Sequence, residues 1–246
     1  MSLPVHLVPT LDGVGVGDEV VVEGDEAHHA VAVRRLRTGE RVVLTDGRGG
    51  SVTAEVATTG KRVFTALVAD VATAARPAPE LVVVQALPKG DRGELAVEVL
   101  TEVGTAVVVP WAAARCVAVW KGERATKSLA RWRATAREAA KQARRAWFPE
   151  VAGLASTAEV AALVAGADLA VVLHEEASEP LAAVPVPAEG RIVVVVGPEG
   201  GLTDDEVATL TAAGGRAVHL GPEVLRTSTA GVVAAAALLA RTPRWS

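Results

Sequence analysis

The chain has 246 residues, half of them hydrophobic but only 3% aromatic, and a net charge of −4 at neutral pH. That length suits one large domain or two small ones with a substantial core. A lone cysteine, Cys116, excludes an internal disulfide and any multi-cysteine zinc site. The N-terminus lacks a basic-then-apolar signal pattern and no uncharged apolar run approaches about 18 residues, so a cytoplasmic protein is expected.

Residues 1–72 read as short strands around one early helix. Glu19–Glu23, Arg41–Thr45, Ser51–Ala57 and Arg62–Val71 are Val/Thr-rich runs separated by Gly or Asp turns, notably Asp46-Gly47-Arg48-Gly49-Gly50. Asp25 is placed to cap a helix over Glu26–Arg35, and Gly13, Gly15 and Gly17 read as a turn. The pattern predicts a small β-barrel-like module. Residues 73–80, with Pro77 and Pro79, read as a linker.

From residue 81 the rhythm becomes strand and helix in alternation, the signature of a parallel α/β sheet. Strands are predicted at Leu81–Ala86, Ala106–Pro110, Leu169–Leu173, Ile192–Val196 and Arg216–Leu220. Helices are predicted at Asp91–Val103, Thr126–Arg145, Thr157–Ala165, Asp204–Ala213 and Ser228–Leu239. Two of those helix starts carry capping boxes, Ser156 with Glu159 and Thr203 with Glu206.

Charge is distributed unevenly. Between Arg115 and Arg145 ten Lys/Arg face only Glu123 and Glu138, a net +8 within an acidic chain. Such a block points to a polyanionic partner or to a solvated helix face. Trp120, Trp132 and Trp147 interleave with these charges, either to stack on bases or to anchor the helix.

Two glycine-bearing turns near the C-terminus carry the functional signal. Ile192–Val196 runs into Gly197-Pro198-Glu199-Gly200-Gly201, and Ala217–Leu220 into Gly221-Pro222. Each turn alone is an ordinary strand-to-helix connection. Two of them at neighbouring strand ends can form a cleft for a nucleotide-like ligand, because ligands of open α/β sheets bind beyond the carboxyl ends of the strands. Other motifs fall away. The glycines lack dinucleotide-binding spacing, and Gly122–Ser128 lacks the glycine before the lysine of a phosphate-binding loop. No Gly-x-Ser-x-Gly elbow is present, and His28-His29 reads as a polar surface pair.

The last motifs, Gly-Pro-Glu-Gly-Gly-Leu and Leu-Gly-x-x-x-Leu-Arg-Thr-x-Thr-Ala, resemble the ribosomal RNA small subunit methyltransferase E family of the SPOUT class. The resemblance covers nearly the whole chain: Gln85–Arg92, Thr101-Glu102-Val103-Gly104, Arg115, Arg131-Trp132, Glu138–Gln142 with Arg144 and Pro149, and, near the N-terminus, His29, Val33–Leu36 and Asp46-Gly47. It implies a SPOUT-type trefoil-knotted parallel sheet with helices on both faces over residues 81–246, preceded by a PUA-like RNA-binding domain. A knot is rare enough that no periodicity would propose one. It also implies a homodimer that uses S-adenosylmethionine to methylate uracil N3 at one site of 16S rRNA. The other readings are a SPOUT enzyme acting elsewhere on RNA, or a non-catalytic RNA-binding relative.

By position, the resemblance assigns cofactor contacts to Leu173, His174 and Glu175, to Gly197, Pro198, Glu199, Gly200 and Gly201, and to Leu220, Gly221 and Leu225, with Ser228 and Thr229. Two positions depart from the family pattern: Ser228 replaces a glutamate and Glu223 a basic residue. The N-terminal Arg-then-Phe opening is replaced by His6-Leu7-Val8.

Methylating uracil N3 requires loss of its proton and stabilisation of charge on its oxygens. Arg226 is the candidate for the second task and Glu199 for the first. RNA contacts are expected from Arg34, Arg35, Arg37, Lys89, Arg92, Arg115, Arg131, Arg144 and Arg145. No metal is expected.

Overall fold

The computed structural model describes residues 3–245 and divides them into two compact units. The first runs to Arg76 and also takes in Lys141–Phe148; the second comprises Pro77–Ala140 and the chain from Pro149 onward. The sequence reading placed 141–148 with the second unit.

In the first unit, β1 (Val5–Leu7), β2 (Glu19–Glu23), β3 (Arg41–Thr45), β4 (Gly50–Thr59) and β5 (Val63–Thr73) form one sheet in the order β1-β3-β4-β5-β2. Alternation sends Val42, Leu44, Val52, Ala54, Phe64 and Ala66 to the inner face, where Ala27 and Ala30 cover them. Register shifts between Thr53 and Ala54 and between Val56 and Thr58 curl the two long strands. At the β3–β4 turn Asp46 Oδ1 accepts from the Arg48 and Gly50 amides at 2.7 and 3.1 Å, while Gly47 and Gly49 take positive φ.

The early helix differs from the expected one. It is a short α1 (Gly24–His28) continuing into a π-helical turn over His29–Val33. Gly24, at φ +75°, turns the chain from β2 directly into the helix, so Asp25 already lies in the first turn and pairs with Arg62 at 2.6 Å instead of capping.

Segment 141–148 is bound to this unit by specific contacts. The Gly49 amide donates to the Ala146 carbonyl, the Phe148 amide to Gly47 and the Trp147 indole to Ala74, all at 2.8–2.9 Å. Lys141 Nζ reaches Glu26 at 3.1 Å, and Glu26 lies 3.2 Å from buried His6 Nδ1.

The second unit is built on β6 (Glu80–Ala86), β7 (Val107–Trp111), β8 (Glu150–Val151), β9 (Leu169–Leu173), β10 (Glu179–Pro180), β11 (Arg191–Val196) and β12 (Arg216–His219). All pairs are parallel, in the order β10-β12-β9-β11-β6-β7-β8. The unbroken apolar runs Leu81–Val84 and Ile192–Val196 follow from burial on both faces. On one face Leu81, Val83, Ile192, Val194 and Val196 pack under α2 (Arg92–Val103), α3 (Gly122–Gln142) and α6 (Thr227–Leu239). On the other Val82, Val84, Val193 and Val195 meet α4 (Thr157–Ala165) and α5 (Asp204–Ala212). The structure is thus the α/β parallel sheet with helices on both faces, following a curled β-module, that the sequence suggested.

Both expected capping boxes form. The helix expected at 126–145 starts and ends earlier, at 122 and 142. Strands β1, β8 and β10 were not foreseen; each has three residues or fewer, too short for a periodic signal. Helix α6 is made of small residues because it lies close to the sheet: a Cβ on Gly231 would come within 3.2 Å of Val196 and 3.3 Å of Leu100.

Candidate cofactor and RNA sites

Strands β12, β9 and β11 are adjacent, and the loops leaving their carboxyl ends surround a cavity of about 420 Å³. The loops contribute Leu173–Glu176, Gly197–Leu202 and Leu220–Leu225, and Arg115, Asp204 and Thr227 are also on the lining. Eleven of the cofactor residues assigned from sequence lie on this lining; Ser228 and Thr229 do not. Ser228 is 2% exposed, and its hydroxyl has no hydrogen-bond partner. The Thr229 hydroxyl turns back to the Arg226 carbonyl at 3.2 Å. Position 228 falls one residue inside α6, and its buried side chain is not part of the lining.

The central loop is shaped by close approach. A Cβ on Gly197 would sit 3.0 Å from Leu202 Cδ2, and one on Gly200 would sit 3.1 Å from Arg115 Cβ. Gly201 takes φ +73° and donates its amide to the Pro198 carbonyl at 3.0 Å. Neighbouring segments hold this loop in place. The Lys89 amide donates to Glu199 Oε1 at 3.1 Å, and Arg115 Nη1 donates to the carbonyls of Gly200 and Leu202 at 3.2 and 3.1 Å.

Glu206 links the loop to α5. One of its oxygens serves the capping box with Thr203, and the other accepts from the Ala114 amide at 2.8 Å. Gln85, fully buried at the end of β6, donates to the carbonyls of Ala86 and Thr227 at 3.1 and 3.2 Å. It thereby ties β6 to the start of α6. Sequence reasoning gave roles to neither Gln85 nor Arg115 as supports of this loop, and only the capping box signalled Glu206.

Glu175, Glu176, Glu199, Asp204 and Glu223 all reach the lining, against the single guanidinium of Arg115. The cavity is therefore electronegative and complements a cation. The half-buried Cys116 lies off the lining with its thiol on the Trp111 carbonyl at 3.7 Å. Burial pushes that thiol's pKa up, so it stays neutral and is a poor nucleophile.

Of the two catalytic candidates, Glu199 is on the lining. Arg226 is the exposed N-cap residue of α6, between Leu225 and Thr227, which line the cavity. Its guanidinium has no ion pair with Glu223 or any other described residue.

The expected RNA contacts separate into two groups. Arg34, Arg35, Arg37 and Arg144, all on the first unit, are exposed, with no side-chain hydrogen bond or ion pair among the described residues. Lys89 is exposed and Arg92 half-buried on the second unit, and Arg145 borders a surface cleft on the first. Arg115, by contrast, is committed to loop carbonyls, and Arg131 lies 3.5 Å from Glu94.

Much of the basic block is likewise engaged locally. Lys127 meets Glu123, Arg137 meets Glu138, Lys141 meets Glu26, and Arg133 donates to the Val151 carbonyl. The tryptophans are anchors: Trp132 is 2% exposed under the edge of Trp120, and Trp147 is bonded to Ala74.

With this geometry established, comparison with known proteins is specific. Residues 76–239 match the RNA methyltransferase domain family and residues 22–68 the RNA methyltransferase PUA domain family. The ribosomal RNA small subunit methyltransferase E of Mycobacterium bovis is 47% identical over 233 residues, covering 93% of this chain and 89% of that protein. The Bacillus subtilis protein of the same name is 32% identical, with 88% of each chain covered.

Two solved structures with S-adenosylmethionine bound superpose on the fold. A methyltransferase of Legionella pneumophila gives TM-score 0.89 at 26% identity, covering 98% of this chain and 99% of its own. The small subunit methyltransferase E of Neisseria gonorrhoeae gives 0.86 at 28%, with 98% of both chains covered. Motifs, two domain families in order and full-length relatives agree: this chain belongs to the ribosomal RNA small subunit methyltransferase E family.

Proposed function

We propose that the protein transfers a methyl group from S-adenosylmethionine to N3 of one uridine in the 16S rRNA of the small ribosomal subunit. The observation that carries this reading is the three-loop, carboxylate-rich cavity at the ends of β12, β9 and β11. Its 420 Å³ lies in the range of small-molecule cofactor sites, and its charge suits a sulfonium and an ammonium group. Gly197 and Gly200 let the loop pack closely on Leu202 and Arg115, which a Cβ would strike, and so fix the backbone that lines the cavity.

Bound there, the cofactor supplies an electrophilic methyl. The loop amides and carbonyls at 197–201 and 220–225 hold the nucleoside part, and the carboxylates of Glu175 and Glu199 face its positive charge. Uracil N3 loses its proton as the N–C bond forms and the C–S bond breaks. Glu199, anchored by one oxygen to the Lys89 amide, has its second oxygen available to accept that proton. Arg226 stabilises the charge spreading onto the uracil oxygens.

We further propose that the chain at the C-terminus is knotted. In support, β12 lies on the far side of β9 from β11, yet the α6 that follows it packs against β6, β11 and α2. A homodimer is proposed from the apolar side chains of Leu95, Val224, Leu225 and Val233, which remain exposed on or beside α2 and α6. Among the described residues no helix is long and apolar enough to cross a membrane, and the proposed location is the cytoplasm, with the ribosome.

The test is nucleoside mass spectrometry of 16S rRNA from a strain lacking the gene, before and after complementation. Loss and recovery of one 3-methyluridine is expected. An unchanged 3-methyluridine content, or loss of a different methylated nucleoside, would refute the assignment.

A further inference from the structure

Fourteen described residues take a positive φ, and twelve of them are glycines. The two exceptions, Arg35 at 58° and Arg144 at 54°, are both arginines of the first unit. A left-handed backbone is disfavoured for any residue with a Cβ, and strain of this kind clusters at functional sites. Arg144 closes α3, with its amide on the Lys141 carbonyl at 3.2 Å, a position that helices ordinarily give to glycine. Its guanidinium is exposed and has no partner among the described residues.

Arg144 also borders a cleft of about 280 Å³ on the first unit. The floor is the outer face of the sheet: Val5 pairs with Val43 and Thr45 with Ser51, and alternation puts these side chains opposite core residues Val42 and Leu44. Leu3 extends the apolar floor, and Arg145 and Ala146 complete the wall. The Thr45 hydroxyl is occupied, donating to the Gly50 carbonyl and accepting from the Gly47 amide. The half-buried Ser51 hydroxyl has no hydrogen bond among the described residues.

We propose that this cleft binds one unpaired nucleotide of the RNA substrate, distinct from the methylated one, with its base on Leu3, Val5 and Val43 and its phosphate on Arg144. The proposal rests on the rRNA reading above and adds a subsite to it. A single-stranded base can splay out onto an apolar floor and present an edge to a hydroxyl, here Ser51. A guanidinium at the rim then fixes the backbone. Glycine at position 144 would fit the backbone better but offer no charge.

Binding of full-length protein to 16S rRNA transcribed in vitro, measured across a salt series, tests this. Arg144→Gly should weaken binding about tenfold and lower the log–log salt slope by about 0.7, as for one lost phosphate contact on a single strand. Its melting temperature should be no lower than that of the wild type. Arg144→Lys should keep the slope. Ser51→Trp, which fills the cleft without touching the charges, should weaken binding at unchanged slope. Wild-type affinity in Arg144→Gly or in Ser51→Trp, or an affinity loss in Arg144→Gly matched by a fall in melting temperature, would overturn the subsite alone. No affinity of the wild-type protein for 16S rRNA would overturn the rRNA reading and the subsite with it.

Discussion

Arg115 and Gly200 shape each other. Arg115 Nη1 donates to the Gly200 carbonyl at 3.2 Å, and the Cβ that Gly200 lacks would lie 3.1 Å from Arg115 Cβ. The arginine can reach the carbonyls of both Gly200 and Leu202 only because the loop backbone passes directly over its stem. This makes Arg115 a support of the central cofactor loop, although its place at the head of a basic segment suggested a phosphate contact.

Arg115→Ala is therefore expected to raise the Kd for S-adenosylmethionine about tenfold, the equivalent of roughly 1.4 kcal/mol, at the low end for a charged hydrogen-bonding group. Arg115→Lys should not restore it, since one ammonium replaces a planar fork. Calorimetric titration with the cofactor and a parallel rRNA-binding assay separate the roles. Unchanged cofactor affinity with weakened RNA binding would return Arg115 to the RNA surface.

A second expectation concerns acid stability. Burial alone would raise the Glu26 pKa; the hydrogen bond with His6 and the charge and hydrogen bond of Lys141 outweigh it and bring it from 4.5 to about 2. Because the folded value is the lower one, this stabilisation is fully present above pH 4.5 and is lost as pH falls toward 2. It is worth on the order of 3 kcal/mol. Urea unfolding of the wild type should weaken across that window, whereas Glu26→Gln should start less stable and show a flatter profile there. Parallel profiles for the two proteins would remove Glu26 from this role.

The sequence reveals those features whose cause is local. Ile192–Val196 reads as a buried strand because its apolar run is continuous, and the turn at Gly197–Gly201 follows it in sequence as in space. Ser156 with Glu159 and Thr203 with Glu206 form caps from residues three apart. Features set by distant partners stay hidden. Asp25 resembles a cap until Gly24 turns the chain a residue early and Arg62 takes the carboxylate. Segment 141–148 continues a basic helix by composition, yet Trp147 and Phe148 fasten it to Ala74 and Gly47. Gln85 lies 142 positions from the Thr227 carbonyl that it binds. The basic block shows the same limit, since its net charge of +8 is visible in sequence and its partners, the carboxylates of Glu26 and Glu94 and the Val151 carbonyl, are not.

Arg35 offers a direct check on the RNA surface of the first unit. It is exposed, unpaired among the described residues and held at φ 58°. Arg35→Ala should weaken 16S rRNA binding several-fold and reduce the salt slope by about 0.7–0.9, the signature of one phosphate contact. Cofactor affinity should be unaffected, because Arg35 and the cavity lie in different units. Normal rRNA affinity in this variant would exclude Arg35 from the interface.

Arg226 is the sharper test of mechanism. As the N-cap residue of α6 it is exposed, carries no side-chain cap bond and lies between two residues of the cavity lining. If its guanidinium stabilises charge on the uracil oxygens, Arg226→Ala should lower turnover by about 10²–10³-fold, as for loss of one charge-stabilising donor. Calorimetry should show S-adenosylmethionine binding within about twofold of the wild type, since one tenfold step in Kd would need roughly 1.4 kcal/mol of lost contact. Arg226→Lys distinguishes charge from geometry: partial recovery of turnover indicates that a cation suffices, and none indicates that the fork is needed. Near-normal turnover in Arg226→Ala would remove the residue from the catalytic machinery and leave Glu199 as the remaining candidate of the two.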